Sequence, residues 1–94
     1  MLVNNVIYTF PADRADEAER LLVELRDASR AEPGCVRYEV ARGTEDPALF
    51  LLFEIWRDQE ALDVHYASEH FARLGLAGIR TFAASRTAYY GRPL

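Results

Sequence analysis

The chain has no lysine; all eleven of its basic residues are arginine. This removes Schiff-base catalysis and the phosphate-gripping lysine of a P-loop. Its single cysteine, Cys35, cannot close an intrachain disulfide, so nothing in the chain calls for an oxidising compartment. Cysteine pairs and mixed Cys/His frameworks of zinc sites are missing too. So are the glycine-rich phosphate loop, the dinucleotide fingerprint, the His-Glu-x-x-His helix and the Gly-x-Ser-x-Gly elbow. Basic charge is in deficit, with a net charge of −4 and a pI near 5.1, which leaves no footprint for nucleic acid. The longest apolar run, Ala48 to Phe53, is far too short to span a bilayer. Met1 to Asn5 lacks the basic and apolar regions of a signal peptide. Together these absences predict a cytoplasmic protein with no nucleic-acid or membrane partner, no bound cofactor and no metal.

What is present is a chain of 94 residues, half of them hydrophobic and 28% charged, enough for one domain over residues 1–94 with a modest core. A first strand is expected from Leu2 to Phe10, rich in β-branched and aromatic residues and ended by Pro11. A helix follows from Asp13, its N-cap, with Ala18, Leu21, Leu22, Leu25 and Ala28 on one stripe. Pro33-Gly34 closes it. Cys35 to Arg42 is the second strand, with Val36, Tyr38 and Val40 on one face. Turn residues Gly43 to Pro47 lead into a third strand, Leu49 to Trp56. That strand is apolar on both faces: Leu49, Leu51, Phe53 and Ile55 on one, Phe50, Leu52 and Trp56 around Glu54 on the other. Helices can cover one face; a second copy of the chain is the natural cover for the other. Asp58 caps a short helix through Leu62 and Tyr66. Ser68 caps another carrying Phe71, Leu74 and Ile79, which Gly75 and Gly78 weaken. A last strand falls near Phe82 to Tyr90. The order βαββαβ is ferredoxin-like, an α+β fold with an antiparallel sheet.

Few residues are equipped for chemistry. His65 and His70 would stand about 140° apart on one unbroken helix, so they converge only if the chain breaks at Ala67-Ser68. If so, they form an acid–base pair; otherwise they cap helix ends. Glu54, on an apolar strand face, is either a base or orienting group for a histidine, or the partner of an arginine. Trp56 walls a pocket or packs in the core. In the Asn4-Asn5 pair, an amide reaches a ligand from the sheet floor, or the strand simply begins frayed. Cys35, with no basic neighbour, is structural.

Two stretches resemble the antibiotic biosynthesis monooxygenase domain family. They are Glu32-Pro33-Gly34-Cys35-Val36-Arg37-Tyr38-Glu39-Val40, and Phe53-Glu54-Ile55-Trp56 followed by Ala61-Leu62-Asp63-Val64-His65 and Ser68-Glu69-His70-Phe71. The resemblance implies a dimeric α/β barrel, two ferredoxin-like subunits packed sheet to sheet. It also implies a pocket between sheet and helices near Trp56, His65, His70 and Phe71, with Leu52 and Leu62 close by. Members include cofactor-free oxygenases that turn phenols or hydroquinones into quinones with O₂. The chain departs from the polyketide-oxidising pattern, with Leu52 where an Asn stands and Leu62 where a Tyr stands. Asn5 and Trp56 match haem-degrading relatives, but their axial histidine falls near Gly75. Glu69 replaces a usual proline. The two histidines are shared with quinol oxygenases and with a dione isomerase of the family. The expectation is a homodimeric, cofactor-independent monooxygenase acting on a small aromatic or quinol with O₂. His65 or His70 would be the base, with Glu54 beside it, and Trp56, Leu52, Tyr66, Phe71 and Asn5 would hold the ring. The alternatives are a cofactor-free isomerase of a small dicarbonyl and a non-enzymatic binding dimer.

Overall fold

The computed structural model describes residues 1–94 throughout. Strands β1 (Leu2–Thr9), β2 (Cys35–Arg42), β3 (Leu49–Trp56) and β4 (Ser85–Gly91) form one antiparallel sheet in the order β2-β3-β1-β4. Helix α1 (Ala15–Arg30) joins β1 to β2, and α2 (Gln59–Tyr66) leads to α3, which joins β3 to β4. Helix α3 is π-helical over Phe71–Ile79 and ends in an α-helical turn, Arg80–Phe82. This is the ferredoxin-like βαββαβ arrangement, with all helices on one face of the sheet. No helix is long and apolar enough to cross a membrane.

Side-chain alternation decides which residues meet the helices. Asn4, Val6 and Tyr8 of β1 and Phe50, Leu52, Glu54 and Trp56 of β3 face inward and are buried. From α1, Ala15, Ala18, Leu22 and Leu25 pack onto them, with Leu62, Leu74 and Ile79 from the other helices completing the core. The opposite face of the sheet has no cover within the chain: Leu51, Phe53 and Tyr89 are exposed there.

Three expectations need correcting. Asp13 does not cap α1. Pro11 opens a 3₁₀ turn (Ala12–Arg14) in which the Arg14 N–H donates to the Pro11 carbonyl, and the α-helix begins one turn later at Ala15. Val36 does not share a face with Tyr38. A bulge between Cys35 and Arg37 turns Val36 outward and gives Cys35 the position opposite Trp56. The fourth strand starts at Ser85 rather than Phe82, because the helix continues through Phe82. That ring packs 5.4 Å from Phe10 and under the Arg14 guanidinium. Through Gly75 and Gly78, the residues expected to weaken it, the last helix continues but widens into π geometry.

Candidate functional site

One inward row crosses the sheet: Tyr38, Glu54, Asn4 and Tyr90 lie side by side on β2, β3, β1 and β4. The helices lay two more groups above it. Asp58 caps α2, its side chain accepting from the Ala61 N–H at 2.8 Å, which fixes the rotation that buries His65. Ser68 then breaks the helix as expected. Its hydroxyl donates to the His65 carbonyl at 2.6 Å and accepts from the Phe71 N–H at 3.2 Å, turning the chain so that His70 returns toward His65.

The carboxylate that joins the histidines is Glu32, in the turn after α1. Its Oε2 accepts from His65 Nδ1 at 2.6 Å and from His70 Nε2 at 2.9 Å. Gly34 makes this approach feasible, since a Cβ there would collide with the Ala61 side chain of α2. The Arg57 N–H donates to the Gly34 carbonyl at 2.9 Å and holds the turn in place. Sequence reasoning assigned no role to Glu32; it lies thirty-odd residues from either histidine, and only the Gly34 contact brings them together. Its place at the head of the Glu32-Pro33-Gly34 turn was the available signal.

Glu54 does not touch a histidine. It accepts from the Trp56 indole N–H at 3.0 Å. Burial pushes its carboxyl up to about 7, with the Trp56 bond, Asn4 and Arg86 partly offsetting that rise. Burial also lowers His65 below its usual value, opposed by the hydrogen bond it gives to Glu32, a shift that favours the neutral ring. Trp56 lies against His65, ring centroids 4.4 Å apart, and Phe71 approaches edge-on at 5.2 Å.

A narrow cavity of about 10 Å³, room for about one water, lies between sheet and helices. His65, Glu54, Leu52, Tyr66 and Phe71 line it, as the sequence led one to expect, with Asn4, Arg80 and Arg86. His70 stands outside it, one-fifth exposed. Asn5 is not part of this group: it faces the open side of the sheet, and its neighbour Asn4 takes the inward place. Strict alternation from Val6 and Tyr8 already carries that parity. Asn4 donates to the Tyr66 hydroxyl at 3.3 Å, which bonds the Tyr90 hydroxyl at 2.9 Å. Burial and Tyr90 hold the Tyr66 phenol well above its usual value.

Glu32, His65 and His70 are also the residues able to hold a cation, their ligand atoms lying within 4.8 Å of one another. Bonds of ~2.1 Å to a metal would set the nitrogens and oxygen roughly 3.0–3.4 Å apart. The observed 2.6 and 2.9 Å are hydrogen-bond lengths. Without an ion, the arrangement is a carboxylate-held imidazole. With Nδ1–H given to Glu32, Nε2 keeps its lone pair and makes no bond within the chain.

A family model described as antibiotic biosynthesis monooxygenase matches residues 1–74. A solved structure described as an antibiotic biosynthesis monooxygenase superposes with a TM-score of 0.93 at 30% identity, covering 100% of this chain and 99% of that one. PA3566 from Pseudomonas aeruginosa gives 0.92 at 32% identity, over 99% and 93% of the two chains. The protein sll1783 of Synechocystis sp. is 36% identical over 59 residues, 63% of this chain but 40% of that protein's length.

Proposed function

Because the chain belongs to the antibiotic biosynthesis monooxygenase family, we propose that it is a cofactor-independent monooxygenase of a small aromatic or quinol-type substrate, working between sheet and helices where the one-water cavity widens to admit a ring. The observation that carries this reading is the buried His65, held at Nδ1 by Glu32 and placed in the cavity wall. Nε2 takes the proton of a substrate hydroxyl. The phenolate passes an electron to O₂; the resulting pair combines at a ring carbon, one oxygen atom stays on the ring as a quinone oxygen, and the other leaves as water. Leu52, Tyr66 and Phe71 flank the ring, and Trp56 backs His65. His70 does not line the cavity, so it is a positioning residue on Glu32 rather than the base.

An oxygen electrode with a panel of hydroquinones tests the reading. Stoichiometric O₂ uptake is expected, falling about 10²-fold or more in His65→Ala. A second reading rests on Glu54, a separate proton acceptor on β3 with its carboxyl near 7. Two such groups in one cavity suit moving a proton between carbons of a small dicarbonyl. Turnover of a diketone under argon supports that isomerase; inactivity with both panels supports a non-enzymatic binding role.

The working unit in this proposal is a homodimer packed sheet to sheet. Leu51, Phe53 and Tyr89 border a shallow groove of about 690 Å³ on the open face, apolar surface that a second copy would cover.

A further inference from the structure

Seven of the eleven arginines pair with carboxylates on the surface: Arg14, Arg26, Arg30, Arg37, Arg42, Arg57 and Arg73. Arg80 of α3 and Arg86 of β4 do not, although both line the cavity. Each buries its Nε with no acceptor within the chain. Each is nevertheless held in place by an aromatic ring, Arg80 over Phe71 at 5.2 Å and Arg86 over Tyr8 at 5.9 Å. Stacking fixes a guanidinium by its face and leaves its N–H donors free. The same cavity holds an unpartnered acceptor, Asn4 Oδ1. Three of the five buried polar atoms left without a partner therefore border this one cavity. Buried polar groups are satisfied as a rule, so two donors and one acceptor gathered at one place describe what completes them.

We infer that Arg80 and Arg86 form an anion-binding pair in the cavity wall, and that the substrate is a small ring or enol carrying an acidic oxygen toward these arginines and a separate O–H toward Asn4. Arginine suits this task because its planar fork meets the oxygens of a carboxylate, phosphate or phenolate at fixed angles. Both side chains are partly exposed, so an anion can reach them from solvent, whereas His65 is buried. No carboxylate forms an ion pair with either guanidinium, and Glu54, the carboxylate lining the same cavity, is taken by Trp56. The inference rests on the proposed use of this cavity for a substrate, and it adds the substrate's charge.

Calorimetric titration of the full chain under argon at pH 7 tests it without any turnover. The probes are hydroquinone, gentisate, phenyl phosphate and para-nitrophenolate. At least one anionic probe is expected to bind about tenfold or more tighter than neutral hydroquinone, and which one does so identifies the acidic group. Arg80→Gln and Arg86→Gln should each remove most of that preference, weakening the anionic probe far more than hydroquinone. Equal affinity for neutral and anionic probes in the natural protein, or binding of none of them, overturns the inference, whether or not the variants fold. Failure of the oxygenase reading alone shows as anion binding without O₂ uptake, so the two are separable.

Discussion

Burying Glu54 beneath α2 makes folding depend on pH with a definite sign. The unfolded carboxyl ionises near 4.5 and the folded one at about 7. Below the lower value both states hold the proton; between the two only the folded state does, so stability falls as pH rises. Above pH 7 the full penalty, about 3 kcal/mol, is in place. Glu54→Gln keeps an acceptor for Trp56 and removes the penalty, so the variant should be the more stable protein at pH 8 and no more stable at pH 4. Urea midpoints at the two pH values check this. His65 tilts the opposite way, because its depressed folded value adds stability that is lost as pH falls below about 6.5. Comparing Glu54→Gln with the natural chain isolates the carboxyl. Removing Glu32 acts differently. Glu32→Ala leaves His65 Nδ1 buried without a partner and should cost roughly 1–3 kcal/mol. It should also shift the pH profile of any turnover, while Glu32→Gln restores the stability more than the profile. The two histidines and Glu54 were legible from the sequence as residues worth asking about. Which carboxylate serves the histidines was not, since that depends on a contact between two turns of backbone.

At the scale of elements, the α1–β2 turn and the start of α2 are the pieces that assemble the site. Gly34→Ala places a methyl against Ala61 and should destabilise the fold by about 1–3 kcal/mol. The companion change Ala61→Gly should return most of that loss, and a double-mutant cycle by thermal denaturation gives the coupling. A cycle without coupling would mean that the turn does not press on α2 there. Ser68→Ala should cost about 1 kcal/mol, mainly by freeing the Phe71 N–H, since the His65 carbonyl still accepts from the Ser68 backbone N–H. The caps at Asp58 and Ser68, the stripe on α1 and the two-sided β3 were readable because each is local. The Val36 bulge and the π geometry of α3 were not: both are settlements with neighbouring elements, and no spacing in the sequence records them.

As a whole the molecule is a slab, 36 × 30 × 18 Å, helices on one side and bare sheet on the other. If a second copy covers the bare side, light scattering should return about twice 10.7 kDa. Leu51→Glu with Phe53→Glu should return the single-chain mass, by setting charges into the contact. The thinness has a further consequence for anyone who wishes to redesign the protein. On β1 and β3 the even-numbered positions from Asn4 to Tyr8 and from Phe50 to Trp56 look toward the helices, and the odd-numbered ones between them look out through the open face. Two instruction sets are interleaved on the same strands, one letter apart. On the proposed dimer and site, a library that randomises Asn5, Leu51 and Phe53 would edit assembly, and one that randomises Asn4, Leu52 and Glu54 would edit chemistry. The two can be screened separately and then combined in a single chain.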